Sequence, residues 1–404
     1  MNSTALLERL ETGDVHAARP APLAPKPKNA RYESLTLWRG VACLMLVIYH
    51  AAFYSEHSFR LRDRSTWTVG GVAISCLDRL AMGVPIFFVV SGYCIAASID
   101  SLRRQPHSLR QYFWRRLRRI YPPLWAAYLI AIAVTLVTMV ASASVYAECV
   151  HLPRLAKFSI GNWIGNLTAS ESWLRRIHGS PRAFLLPNSW TLCYEEQFYA
   201  VTGLLLVVAA RRFFSATYVI AAAVFFSRPL LKLAGIDTDG FFFDGHWFMF
   251  AEGILVYECL NYFQKSGVRI ARMVLCAAVM CGVIERVLGQ TGDARHFGEY
   301  IFASSAFSIA LIWLRRYDAR LVSHPVLKPI VWCGTISYSI FLTHFPLVVL
   351  LACIFAMIGV RSDGLVCLIT APISVAITLP IAWVFHVLVE RRFLNAPVTS
   401  KASA

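Results

Sequence analysis

Residues 35–54 read LTLWRGVACLMLVIYHAAFY, an apolar run broken only by Arg39 and His50. A helix of that length, rising 1.5 Å per residue, spans the hydrocarbon of a bilayer. The rest of the chain repeats the pattern, with apolar runs over 82–99, 124–145, 190–210, 213–231, 246–263, 270–288, 298–314, 330–360 and 365–389. Ten such runs predict an all-α fold, a polytopic integral membrane protein with about ten transmembrane helices. The seventh has the shortest apolar middle, because Arg272, Glu285 and Arg286 stand near its ends.

Composition leads to the same class. Of 404 residues only 15% are charged and 57% are apolar, where soluble domains carry roughly 25% charge. Mean hydropathy is +0.55. Such a chain cannot cover a globule with polar side chains, and disorder, coiled coil, collagen and a secreted disulfide scaffold each need more charge, Gly or Cys. The stretch AARPAPLAPKPK at 17–28 has no apolar period. Residues 1–33 therefore read as a disordered tail, 34–394 as one membrane domain and 395–404 as a second tail. No apolar h-region follows the early basic residues, so no signal peptide is expected.

The net charge of +16 would suggest nucleic acid as partner of a soluble protein. In a membrane chain the basic residues are expected in cytoplasmic loops, facing anionic lipid, and no nucleic acid partner is implied. Alternate connections counted from the amino terminus hold 24 of the 39 Lys and Arg and the opposite ones 14, with Arg39 inside the first run. Both termini are thus expected in the cytoplasm, of a protein lying multi-pass in the cytoplasmic (inner) membrane. The densest basic cluster, RRQPHSLRQYFWRRLRR at 103–119, reads as an interfacial amphipathic helix with Tyr112, Phe113, Leu117 and Ile120 on its apolar stripe. Pro122 and Pro123 then open the third span. The longest outer connections are 55–81 and 146–189. Eleven cysteines form no CxxC pair, so neither a metal nor a disulfide framework is indicated. Cys76 and Cys149 stand apart in outer connections, where a disulfide between them is the alternative to free thiols.

Ionisable groups within a span cost about 2.5 to 3.5 kcal/mol on insertion scales, which makes each a functional candidate. Arg39 and His50 are eleven residues apart, three turns and about 20° of rotation, so they share a helix face about 16 Å apart along the axis. The plain alternative is that Arg39 snorkels to lipid phosphate and His50 merely packs. Arg116 and Arg119, three apart, share a face beside the inner surface and match phosphate oxygens in pairs, as lipid head groups would also allow. WTLCYEEQFY at 190–199 puts Glu195 and Tyr199 four apart at the expected outer end of the fourth span. His344, in SYSIFLTHFP at 337–346, lies at a depth similar to His50.

Five motifs in order resemble the acyltransferase-3 family of integral-membrane acyltransferases over nearly the whole chain, 32–393. Arg39 and His50 match its R-x10-H, and GVPIFFVVSG at 83–92 is similar to its GVDxFFxxSG. Arg116, Arg119 and Pro122 match RxxRxxP, while 190–199 and 337–346 resemble WSLxxEEQFY and SYxxYLxHxP. Pro85 departs from the pattern, standing where an acidic residue is commonest. The resemblance implies a glycan O-acetyltransferase type of enzyme, moving an acyl group, usually acetyl, from cytoplasmic acyl-CoA to a hydroxyl of an extracytoplasmic glycan or glycolipid.

On that reading acetyl-CoA is the donor, Arg39, Arg116 and Arg119 hold its phosphates, and its pantetheine arm of about 17 Å covers the Arg39 to His50 span. His50 is the expected general base. It could instead take the acyl group covalently, or His344 could be the base. Glu195 would orient the imidazole or bind sugar. Acceptor contacts are expected from Tyr199 and from Trp163 and Trp173 in the 146–189 connection, which also holds Asn162, Asn166, Arg175 and Arg176. The competing reading is a transporter or channel for an organic anion with the same basic vestibule, disfavoured by the absence of an internal repeat.

Overall fold

The computed structural model describes residues 27–28, 31–53, 76–103, 109–288, 293–360 and 363–394. Most of the expected amino-terminal tail, most of the 55–81 connection, residues 104–108 of the basic cluster and the carboxy-terminal tail lie outside these residues. Among the described residues the structure is helical, without strands. The long helices are α1 (Leu35–Phe53), α2 (Gly83–Leu102), α3 (Leu109–Ala141), α7 (Trp190–Val208), α8 (Phe213–Leu233), α9 (His246–Asn261), α10 (Lys265–Leu288), α11 (Asp293–Leu314), α14 (Ser337–Met357) and α15 (Asp363–Phe385). Short helices α4 (Ala143–Glu148), α5 (Ile160–Leu167) and α6 (Glu171–His178) fill the connection before α7, and α12 (Asp318–Ser323) and α13 (Lys328–Thr335) precede α14.

Nine of the ten apolar runs each fall on one long helix and the ninth is divided between two, and among the described residues eight helical stretches are long and apolar enough to cross a membrane. The two that do not qualify are α7 and α9. α9 has 16 residues, about 24 Å against roughly 30 Å of hydrocarbon. The opening turns of α7 hold Glu195, Glu196 and Gln197.

α2 lies at the centre, against α1, α9 and α11. Its contact with α9 is backbone on backbone: a Cβ added at Gly92 would meet the Phe250 carbonyl oxygen at 2.0 Å, and one at Gly253 would meet that of Val89 at 1.9 Å. Between helices in lipid there is no hydrophobic drive to association, so this closeness, with its dispersion contacts, holds the pair. Gly40 and Gly334 join α1 to α13 in the same way. Gly253→Val should force α2 and α9 apart, costing at least about 3 kcal/mol. It is expected to abolish the monodisperse peak in detergent chromatography, whereas Ala97→Val, at a partly buried position on α2, should not.

Three features differ from the sequence expectation. The basic cluster and the third span form one helix of 33 residues, with Pro122 and Pro123 inside it. The missing N–H groups leave the carbonyls of Arg118 and Arg119 without their helix partners, and the next carbonyl, that of Ile120, accepts the Tyr338 hydroxyl at 2.9 Å, which ties this turn to α14. The ninth run breaks at Ile336 between α13 and α14. Last, the 146–189 connection does not stay at the end of α3. The hydroxyls of Tyr121 and Tyr128 and the indole of Trp125 donate to the carbonyls of Thr168, Asn166 and Leu167, each at 3.0 Å. Those donors lie about 20 to 30 Å back from the end of α3, so the connection re-enters the bundle. The carbonyls of Leu167 and Thr168 find partners there that the end of α5 does not supply, which hydrocarbon makes valuable.

Candidate active site

Because the connection re-enters, α7 begins deep in the bundle rather than at its outer face, with the Asn188 side-chain amide donating to the Phe341 carbonyl at 2.7 Å. Glu195 and Tyr199, expected on the opposite side from Arg116, consequently share a cavity with it. The cavity holds about 590 Å³ and is lined by α1, α2, α3, α7 and α14. Arg39, Arg115, Arg116 and Arg119 stand on its wall with Glu195 and Tyr199.

Arg116 is the most constrained of the four. Its guanidinium lies 4.2 Å from the ring centre of Tyr112 and 4.5 Å from that of Tyr199. Both tyrosines are tied in turn, Tyr112 through its hydroxyl to Thr202 Oγ1 at 2.9 Å and Tyr199 by donating to the Glu195 carboxylate. Nε and Nη2 of Arg116 are buried with no hydrogen-bond partner among the described residues. Unpaired donors of this kind cost about 1 to 3 kcal/mol each, a cost that an arriving anion removes. The site is thus built to accept negative charge.

Leu46 and Phe341, also on the wall, are one helical turn short of His50 and His344. The two imidazoles meet just past the lining, His50 Nδ1 to His344 Nε2 at 2.9 Å, and both are buried. The second nitrogen of His344 settles the tautomers. Its Nδ1 lies 2.9 Å from the Ile340 carbonyl oxygen, which can only accept, so Nδ1 carries the proton and Nε2 a lone pair. His50 must then donate through Nδ1, which leaves its Nε2 with the lone pair of a base. Behind this pair Ser339 donates to Glu390 at 2.5 Å, and His386 contacts the same carboxylate oxygen at 2.8 Å, which pins α14 to the turn after α15.

A cation-lined cavity ending on a histidine pair fits transfer from an anionic donor. A family model described as an acyltransferase domain matches residues 32–387. The chain belongs to the acyltransferase-3 family. Among its relatives are a peptidoglycan O-acetyltransferase, OatA, of Listeria monocytogenes, 24% identical over 77% of this chain and 48% of the relative, and a putative peptidoglycan O-acetyltransferase, YrhL, of Bacillus subtilis, 26% identical over 80% and 50%. O-acetyltransferase OatA of Staphylococcus aureus is 26% identical over 43% of this chain and 24% of the relative. The chain spans about half the length of the first two. No solved structure matches it.

Within this member of the family, Arg39, Arg116, Arg119, Glu195 and Tyr199 are brought to one cavity and His50 and His344 to its end. Glu195 engages Tyr199, and His344 is bonded to His50. Trp163 and Trp173 are not among the lining residues. Trp163 packs on Phe158 with ring centres 5.4 Å apart. Asn162 donates to Glu171 at 2.7 Å and Asn166 to the Ala183 carbonyl at 2.8 Å, holding α5 to α6 and to the strand of chain that follows. Arg175 and Arg176 form ion pairs with Asp237 at 3.5 and 2.9 Å. These polar residues fold the connection. Pro85 is in the first turn of α2, where a missing N–H costs nothing.

Two residues were not singled out in the sequence for the part they play. Tyr112 looked like one more member of an apolar stripe; only its ring over Arg116 marks it. His151, in the connection after α4, brings its ring 6.5 Å from that of Phe345, the neighbour of His344. Burial pushes the His151 imidazole down to about 4 from 6.5. The unfolded chain therefore takes up this proton first, so stability is full above about pH 6.5 and is lost as pH falls toward 4. Going from pH 7 to pH 5 should cost on the order of 1 to 2 kcal/mol. His151→Gln should remove that part of the pH dependence, read from thermal unfolding in detergent.

Proposed function

We propose that this acyltransferase moves an acetyl group from acetyl-CoA, bound at the arginine end of the cavity, to a hydroxyl of a glycan or glycolipid arriving from the opposite side of the membrane. The observation that carries the reading is the continuity of four arginines, a cavity of about 590 Å³ and the His50–His344 pair one turn beyond it. Arg39, Arg116 and Arg119 hold the donor phosphates. The pantetheine arm lies along α1 toward His50, whose Nε2 takes the proton of the acceptor hydroxyl as the oxygen attacks the thioester carbon; His344 holds His50 in the reactive tautomer. The arginine end faces the cytoplasm, where the loop charges also place both termini. Peptidoglycan, the acceptor in the names of two relatives, sets the acceptor class.

On the acceptor side we assign contacts to the 146–189 connection, with Trp163 and Trp173 as its stacking surfaces; Tyr199, whose ring lies on Arg116, goes to the donor end instead. The test is purified protein in vesicles whose orientation is known, with acetyl-CoA on one side and a muropeptide or polysaccharide acceptor on the other. Transfer is expected only when acetyl-CoA faces the arginine end. Equal transfer from either side would overturn the proposal, and passage of intact acetyl-CoA without transfer would favour the anion-transport reading.

A further inference from the structure

Cys149 and Cys353 are 204 positions apart in the sequence, yet they share one small apolar cluster at the end of the bundle away from the arginines. Cys353, on the last turns of α14, is buried with Val134, Val145, Leu152, Phe345 and Val349, and Cys149 packs against that group. Both are free thiols in the structure, at the end of α4 and on α14, two elements that pack together. Cys149 sits on fixed backbone. Ser142 caps α4, and Arg154 donates to the carbonyls of Tyr146 at 2.5 Å, Ala147 at 2.9 Å and Cys149 at 3.0 Å. Cys76, the partner that loop position suggests for Cys149, is an exposed free thiol.

We propose that Cys149 and Cys353 are a redox site, joined as a disulfide in the working protein, which fastens the re-entrant connection to α14 beside the histidine pair. The proposal rests on the orientation given above, since the arginine end in the cytoplasm puts these cysteines on the oxidising side. Its geometry stands without it: a buried and a half-buried thiol share one cluster on two packed elements, the placement from which a bridge can close. Cys149 is half-buried on the connection and Cys353 is buried, so Cys149 is the thiol an oxidant reaches first, and interaction with Cys353 lowers its pKa from the ordinary thiol value.

The oxidant is a protein disulfide of the thiol-oxidase class. The Cys149 thiolate attacks one of its sulfurs and expels the other as a thiolate. Cys353 then loses its proton and attacks the Cys149 sulfur of the mixed disulfide, releasing the oxidant as a dithiol with the two electrons of the pair. No other cofactor is consumed.

The experiment uses the full chain, extracted with maleimide under acid quench and digested without reductant. One peptide pair linking Cys149 to Cys353 is expected, with maleimide on neither residue. Reduction should release both, and Cys149→Ser or Cys353→Ser should each abolish the pair while the protein stays monodisperse. Full maleimide labelling of both in cells, with the pair formed only after diamide is added to purified protein, would overturn the cellular disulfide while keeping the contact. Failure with diamide as well would overturn the pairing itself. Orientation is read separately by the vesicle assay, so neither failure is confused with failure of the proposed function.

Discussion

His50→Ala lowers acceptor acetylation by about a hundredfold or more while the protein remains inserted and monodisperse. A positioned general base contributes roughly 10² to 10⁴ in rate, and no second group in the cavity duplicates the Nε2 lone pair that the tautomer argument gives His50. The fold should tolerate the change, because the α1 contacts that hold the bundle are the close approaches at Gly40 and Gly83 rather than the imidazole. Acetylated glycan, measured by acetate release after mild base, is the readout, with acetyl-CoA binding followed in parallel. Binding should be unchanged within about twofold, since His50 lies beyond the cavity wall. Activity near the wild-type level would return His50 to a packing role.

The partner variant sharpens the test. His344→Ala removes the acceptor that holds His50 Nδ1–H in place, without removing the base, so its loss should be smaller than that of His50→Ala. The double variant should lose no more than His50→Ala alone, because groups acting as one unit are not additive. A larger loss in His344→Ala would reverse the two roles.

Much of this arrangement could be read from the sequence, and the reasons are local. Arg39 and His50 share a face because both sit in one uninterrupted helix with a fixed 100° step. All the apolar runs but the ninth became single helices for the same reason. What the sequence did not disclose depends on where a chain turns. Glu195 follows a connection of over forty residues, and nothing in its periodicity tells that Tyr121, Trp125 and Tyr128 would draw Thr168, Leu167 and Asn166 back into the bundle. Placing Glu195 and Tyr199 at an outer surface was the direct result. Proline misled in another way: Pro122 and Pro123 signal a helix start, but inside a bundle two lost N–H bonds are tolerated, with Tyr338 holding the same turn through the Ile120 carbonyl, and the helix runs on.

Arg116→Ala raises the KM for acetyl-CoA about ten- to hundredfold, the largest effect expected on donor binding. A hydrogen bond to a charged group contributes about 1.5 to 3 kcal/mol, and each 1.4 kcal/mol is a factor of ten. Arg116 is set for that contribution before the donor arrives. Tyr112 and Tyr199 stack on its guanidinium from two sides, so its rotamer entropy is already spent, and Nε and Nη2 wait unpaired. Arg119 is exposed, where water and lipid phosphate compete, and Arg119→Ala should cost at most a few-fold. Arg116→Lys should not restore the wild-type KM, because an ammonium is neither planar for the two rings nor forked for a phosphate. The kcat at saturating donor should fall far less than in His50→Ala, since Arg116 stands at the other end of the cavity from the reacting carbon. An unchanged KM in a folded Arg116→Ala protein would remove Arg116 from the donor site and leave Arg39 to hold the phosphates.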